Sequence, residues 1–338
     1  MSTPATQLPR VVFFGSGEFG VPVLQALHAA GAVALVVSQP DKPAGRGSAL
    51  TPTPVSAWAL AHGLPLLRPE DCNAPEACAA IRSAAAHGAG SASAAGSGLP
   101  YVVIAYGQKM GPALLEGVFA INLHGSLLPR WRGAAPYQRA IMAGDTEAGV
   151  TVIQVAERMD AGLMYAKAAL PIGPAMTASE LHDALSALGT ATMLPVLQEW
   201  RASGGARPVG QPQDESLATR ARKLSRADAW VDLTQTADAV RATINGLSPW
   251  PGCAVQVGGQ PLKVLRARVA AAGTQAQGAA PPPGTLLPDH TVACGRGAVA
   301  FLDVQPAGGK TMPFADWLRG RRVAPGAMVE SHPPQSGA

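Results

Sequence analysis

At 338 residues, with 47 % apolar residues and 26 Lys and Arg against 22 Asp and Glu, the chain can bury a sizeable core and exceeds one typical domain, so two domains are expected. No apolar run approaches the roughly 18 residues of a membrane span, residues 1–10 carry no signal- or transit-peptide pattern, and Cys72, Cys78, Cys253 and Cys294 show no paired spacing. These features argue against a membrane-spanning or disulfide-built chain and for a cytoplasmic protein with reduced thiols. Charge is uneven: residues 1–203 hold 12 Lys and Arg against 13 Asp and Glu, residues 204–338 hold 14 against 9, and the basic second half suits a polyanion partner.

Val11-Val12-Phe13-Phe14 reads as a buried strand ending at Gly15, residues 21–30 as a helix closed by Gly31, and residues 33–37 as a second strand. Strand, helix, strand implies a parallel sheet. The alternation continues with a helix over 55–62, a strand over 101–105, a short helix over 112–115, a strand over 120–123 and a helix over 136–143. It predicts an α/β domain over 1–203 with a doubly wound, mostly parallel sheet and its site at the carboxyl ends of the strands. Residues 83–98 are low in complexity and read as a flexible surface insertion, and residues 204–223, rich in Gly, Pro and polar side chains, read as a linker. Beyond it, short strands at 230–233, 253–257, 262–269, 291–293 and 299–304, with a helix over 236–247, predict a small β-rich domain over 224–323. A loop fills 270–283, and 324–338 reads as a frayed tail.

Gly15-Ser16-Gly17-Glu18-Phe19-Gly20 satisfies the spacing of a dinucleotide-binding turn, with Asp41 about 20 residues on. The acidic residue of that motif closes the second strand, however, and here Ser38 stands there while Asp41 follows Pro40 in a Pro/Gly-rich loop. The glycines are read as serving close helix–sheet packing. Residues 40–53 form a long loop without apolar period, and loops of that length are functional or disordered.

The most informative segment is Ile121-Asn122-Leu123-His124-Gly125-Ser126-Leu127-Leu128-Pro129-Arg130-Trp131-Arg132-Gly133-Ala134-Ala135-Pro136, followed after a β-rich run by Met159-Asp160-Ala161-Gly162. Asn122 and His124 lie two apart, so an extended backbone projects both from one face, a donor amide beside a titratable imidazole. Such a pair suits a tetrahedral oxyanion. Gly125 permits a sharp turn, Pro129 ends it, and Asp160 can orient or charge the imidazole. The plainer readings are a core histidine and an aspartate that caps a turn.

This segment, supported by Gln39-Pro40-Asp41-Lys42-Pro43-Ala44-Gly45-Arg46-Gly47 and Pro249-Trp250-Pro251, resembles the folate-dependent formyltransferases over nearly the whole chain. Glu18-Phe19 matches that family's own Gly-rich turn. The resemblance implies an OB-like barrel for the second domain, and transfer of the formyl group of 10-formyltetrahydrofolate to the α-amino group of methionine on initiator Met-tRNA, for translation initiation. It implies a monomer needing no metal. Asn122, His124 and Asp160 are the implied catalytic residues; Ala105, Tyr106, Gly107, Ser126, Leu127, Leu128 and Pro129 the folate-binding ones. Lys42, Arg46, Arg132 and Lys223 would meet tRNA. Ala161 departs from the family's usual Thr after the aspartate. A transferase for a small amine, such as glycinamide ribonucleotide or an amino sugar nucleotide, would share the triad without needing the Arg46 loop or the basic barrel. A nicotinamide-dependent dehydrogenase leaves residues 122–136 unexplained, and a silent tRNA- or folate-binding module leaves the triad unexplained.

Overall fold

Val11–Gly15 (β1) is buried along its whole length, as consecutive β-branched and aromatic residues require when helices cover both faces of a sheet. The computed structural model describes residues 7–44, 49–87, 98–271 and 281–334. It divides into a first unit of residues 1–132, 149–169 and 183–219 and a second of 133–148, 170–182 and 220–338.

The strands that follow β1 are β2 (Val33–Val37), β3 (Lys42–Ala44), β4 (Ala49–Thr51), β5 (Leu66–Leu67), β6 (Tyr101–Ile104), β7 (Ala120–His124), β8 (Arg132–Gly133), β9 (Glu147–Gln154) and β10 (Met164–Pro171). The helices are α1 (Val21–Ala29), α2 (Pro54–Ala61), α3 (Pro75–His87), α4 (Pro112–Leu115), α5 (Pro136–Met142) and α6 (Ala178–Ala202). Seven strands form one sheet in the order β10-β9-β7-β6-β1-β2-β5, parallel from β7 to β5, with β9 antiparallel to β7. The chain winds outward from β1 in one direction and returns to β6 on the other side, so a crevice opens at the carboxyl ends of β1 and β6, next to that of β7. Thr53 caps α2 by accepting from the Ser56 amide, with Pro54 in the first turn.

Three parts of this unit depart from the sequence reading. The loop over 40–53 contains an antiparallel hairpin, Lys42–Ala44 against Ala49–Thr51. Residues 83–87, expected in the flexible insertion, close α3, with Ala85 buried and its carbonyl accepting from the Leu99 amide; residues 88–97 lie outside the described residues. Within the expected linker, Gln211 pairs through both backbone groups with Met164, so that stretch is laid onto the first unit.

In the second unit, β12 (Cys253–Val257), β13 (Gln260–Val269), β14 (Val292–Ala293), β15 (Ala298–Pro306), β16 (Met312–Pro313) and β17 (Val329–Glu330) follow a short β11 (Arg220–Ala221), with α7 (Ala237–Gly246) and α8 (Phe314–Arg321). The order β14-β15-β13-β12-β17 is antiparallel throughout. Thr285 and Leu286 bridge onward to Met328 and Val292, which nearly closes the sheet into the expected barrel. The segment read as a frayed tail therefore supplies an edge strand, with Val329 buried. Residues 230–233 run without a ladder: Val231 and Leu233 are buried, but the Val231 amide donates to Ser331 Oγ. Asn245 of α7 is fully buried and exchanges two hydrogen bonds with the backbone of Ala267, where the β13 register shifts. Gly246 admits α5, since a Cβ there would lie 2.9 Å from the Gln138 carbonyl. Among the described residues no helix is long and apolar enough to cross a membrane.

Candidate functional site

Alternation along β7 places Asn122 and His124 on one face, at the strand's carboxyl end, opposite Ile153 and Thr151 of β9. Asn122 is half-buried and His124 is 6 % exposed. The imidazole is held from both edges. Nε2 lies 2.8 Å from the Trp131 carbonyl oxygen, which only accepts, so Nε2 carries the hydrogen. Nδ1 faces Asp160 Oδ2 at 3.6 Å, outside hydrogen-bond range but within ion-pair distance for the protonated ring.

The turn after β7 is knitted by hydroxyls. Ser126 Oγ donates to the Arg130 carbonyl at 2.7 Å; Thr151 Oγ1 donates to the Ser126 carbonyl and accepts from the Leu128 amide. The Lys167 ammonium donates to the Leu128 carbonyl, and burial lowers its pKa. The Trp131 amide donates to Thr219 Oγ1 at 2.9 Å. Leu128 packs into the core with Ile153 and Met164, leaving Leu127 and Pro129 as the partly exposed apolar residues.

Ala105 (φ +48°), Trp131 (φ +64°) and Asp160 (φ +54°) all adopt the left-handed region. This conformation costs on the order of 1 kcal/mol or more for residues with a Cβ and persists where surrounding bonds over-determine it. Those bonds are present at each. The Ala105 carbonyl accepts from the Ser16 and Gly17 amides; Trp131 is bonded at its amide and its carbonyl; the Asp160 carbonyl accepts from Gln213 Nε2.

Ala105, Tyr106 and Gly107 present backbone. The Tyr106 ring is buried edge-on against Phe14, and burial raises its phenol pKa. Its carbonyl accepts from Ser16 Oγ and Gln39 Nε2, both at 2.9 Å, and Gln39 Nε2 fills the space a Cβ on Gly107 would need. The Gly-rich turn is no phosphate cradle, because its Ser16 and Gly17 amides are spent on Ala105. Gly15 and Gly20 bring the backbone against Phe13 and Ile104, and Asp41 is paired with Arg68 at 2.7 Å. The packing role read for these glycines fits that geometry.

Arg132, expected at a nucleic-acid contact, is only 9 % exposed and offers no free charge. Its guanidinium donates to Gln213 Oε1 at 2.8 and 3.0 Å and to both carboxylate oxygens of Glu215 at 2.8 and 3.1 Å. Arg158 also pairs with Glu215 at 2.6 Å; the guanidinium of Arg132, and then that of Arg158, hold the Glu215 carboxyl down at about 2. Gln213 Nε2 donates in turn to the Asp160 and Gly162 carbonyls at 2.7 and 2.9 Å. Sequence reasoning misses Gln213, Glu215, Thr219, Thr151 and Lys167, whose polar side chains carry no periodic signal. Lys42 sits on the exposed hairpin, its ammonium donating to Gln39 Oε1, and Arg46 lies outside the described residues. Lys223 belongs to the second unit, where it lines a cleft of about 420 Å³ with Arg222, Asp228 and Trp230.

Among the described residues no cluster of three or more His, Cys, Asp or Glu could hold a metal ion. All four cysteines are free and buried; burial pushes Cys253 up to about 12 and Cys294 to about 11, which leaves them poor nucleophiles.

Comparison with known proteins agrees with this geometry. The model of the formyl transferase family matches residues 9–197, and that of the formyl transferase C-terminal domain matches residues 223–322. The methionyl-tRNA formyltransferase of Thiobacillus denitrificans is 42 % identical over 327 residues, covering 95 % of this chain and 99 % of that protein. That of Heliobacterium modesticaldum is 40 % identical over 327 residues, covering 94 % and 98 %. Among solved structures, an N-formyltransferase from Helicobacter canadensis in complex with folinic acid and dTDP-3-aminofucose shares the fold, with a TM-score of 0.60 and 11 % identity over 87 % of this chain and 99 % of that one. Both family models in their proper order, and relatives that align over almost their whole length, place this chain in the formyl transferase family.

Proposed function

We propose that the protein transfers the formyl group of 10-formyltetrahydrofolate to the α-amino group of methionine on initiator Met-tRNA, acting as a cytoplasmic monomer in translation initiation. The observation that carries this reading is the imidazole of His124, pinned at Nε2 by Trp131 and faced at Nδ1 by Asp160, beside Asn122 on the same strand face. Relatives that align over nearly the whole chain and bear the name methionyl-tRNA formyltransferase support the choice of substrates.

In this mechanism the neutral amine attacks the formyl carbon, a C–N bond forms, and negative charge develops on the formyl oxygen. The Asn122 amide donates to that oxygen, and so does Nδ1–H of the His124 imidazolium, the ring form that carries a hydrogen on Nδ1 as well as on the Nε2 already committed to Trp131. Asp160, at 3.6 Å, leaves room for the donor geometry while orienting the ring. The amine proton leaves through water to the departing folate nitrogen as its bond to the formyl carbon breaks. The 105–107 backbone would line the pterin and Leu127 and Pro129 the rest of the folate, with Ser126 fixing that turn. We assign tRNA contacts to Lys42 and Arg46 in the first unit and to the basic second unit through Lys223.

Incubating the protein with 10-formyltetrahydrofolate and initiator Met-tRNA tests the proposal. Formyl-Met-tRNA, resolved from Met-tRNA on an acid gel, is the expected product. No transfer to the tRNA, with transfer to an amino sugar nucleotide or glycinamide ribonucleotide, would replace this reading by the small-amine one.

A further inference from the structure

Residues 198–222 fall between the two stretches matched by the family models, yet part of this segment bears on both edges of the His124 imidazole. The Asp160 carboxylate faces Nδ1, and the backbone of the loop that carries it is held by two hydrogen bonds from the Gln213 amide, to Asp160 and Gly162. The Trp131 carbonyl accepts from Nε2, and Trp131 is held at its amide by Thr219 Oγ1. The Thr219 main chain also joins the turn directly, its amide donating to the Pro129 carbonyl and its carbonyl accepting from the Arg132 amide. The Gln211–Met164 backbone pair fixes one end of the segment. The buried Arg132 guanidinium, held between Gln213 Oε1 and Glu215, sets the rotamer of the Gln213 amide.

We propose that residues 211–219 are a positioning strap: Gln213, oriented by Arg132 and Glu215, and Thr219 fix the Asp160 and Trp131 backbones that hold His124, so the segment works in formyl transfer and is no passive connection. Both Asp160 and Trp131 sit in a left-handed backbone conformation that relaxes unless outside bonds maintain it. Gln213 is the lever because its side-chain nitrogen donates to two carbonyls of the Asp160 loop, while its oxygen serves Arg132.

The inference rests on the reading of Asn122, His124 and Asp160 as the transfer site, and its test separates the two. Gln213→Glu in the full-length protein keeps the size and the acceptor for Arg132, removes both donors, and turns a carboxylate oxygen toward two carbonyls. Displacement of a catalytic group by about 1 Å costs roughly 10²-fold. We therefore expect kcat for Met-tRNA formylation to fall between about 10- and 100-fold, with KM for both substrates within about two-fold of wild type. Gln213→Met, neutral and of similar length, reports the same loss if Gln213→Glu folds poorly. In an Asp160→Asn background the Gln213 effect should shrink to less than about two-fold, because coupled residues are not additive. The ¹⁵N resonances of the His124 ring should also move in Gln213→Glu, a readout independent of turnover. A wild-type protein that formylates nothing overturns the functional reading alone. Gln213 variants with wild-type kcat and an unmoved His124 spectrum, or with a loss that multiplies in full with that of Asp160→Asn, overturn the strap.

Discussion

Replacing Gly162 by alanine directs a Cβ into the Gln154 carbonyl, whose carbon would lie 2.9 Å away and whose oxygen would be closer still, whereas Cβ contacts under 3.0 Å essentially do not occur. The obstruction is backbone and cannot rotate away. Gln154 is tied into the same ladder, its amide donating to the Leu163 carbonyl at 2.8 Å, so the strand has little freedom to yield. The loop carrying Asp160 must recede by about 1 Å, which lengthens the 3.6 Å approach to His124 Nδ1 and strains the Gln213 bonds. A misplacement of that size costs about 10²-fold in rate, or roughly 2.7 kcal/mol of transition-state stabilisation. Steady-state formylation of Met-tRNA by Gly162→Ala should show this loss in kcat, with KM for the folate little changed and a lowered Tm. Gly320→Ala is the control: in α8 nothing lies within 4 Å of the new Cβ, and a helix interior gains about 0.5–1 kcal/mol from the change. Wild-type kcat in folded Gly162→Ala would refute the reasoning, since it would mean that the position of Asp160 does not matter.

Asn122→Ala and His124→Ala should each lower kcat by about 10²–10³-fold with folate binding retained, as expected for loss of an oxyanion donor; titration of folate fluorescence against turnover checks both halves. Glu215 has a carboxyl pKa depressed to about 2, so its contribution to stability is present above the ordinary carboxylate range and is lost as pH falls from about 4.5 toward 2. The Tm difference between wild type and Glu215→Gln should accordingly hold from pH 5 to 8 and vanish in strong acid; a difference that grows on acidification contradicts the pairing with Arg132 and Arg158. Removing residues 88–97 and joining the flanks with a short Gly-containing link should alter Tm and kcat little, because loop closure depends weakly on length and the Leu99 amide already reaches the Ala85 carbonyl. Extending that deletion back to residue 83 should destabilise the protein, since it removes the last turn of α3. Arg46→Ala should weaken tRNA binding more than folate binding and reduce the logarithmic salt slope of tRNA binding by about 1, as for one lost phosphate contact; an unchanged slope and affinity would remove Arg46 from the tRNA surface.

The parts of the molecule legible in the sequence are those whose physics is periodic. Four buried apolar residues announce β1, and the two-residue spacing of Asn122 and His124 suffices to put them on one face of β7. Thr236 and Leu247 bracket α7 as its N-cap and C-cap, close to the limits read from the pattern. Where burial and pairing part company, the pattern misleads: residues 230–233 alternate like a strand, and Val231 and Leu233 are buried, but a serine hydroxyl takes the place of a ladder partner. The Val329 strand is two residues long, too short for its period to register. The resemblance assigns Arg132 to tRNA, and only the fold reveals that Gln213 and Glu215 already occupy it. A Gln or Glu in a Pro-rich polar stretch looks like linker, because nothing in its own neighbourhood records what lies 51 to 83 residues away.

The central claim is that this site delivers a formyl group to the amine of Met-tRNA, and a one-pot competition tests it most directly. Labelled 10-formyltetrahydrofolate is mixed with initiator Met-tRNA, glycinamide ribonucleotide and an amino sugar nucleotide, and the label is followed into each product with wild-type protein and with His124→Ala. The expected result is label in formyl-Met-tRNA almost alone, lost about 10²–10³-fold in His124→Ala. Label in a small amine with none in the tRNA, or undiminished transfer by His124→Ala, would contradict it.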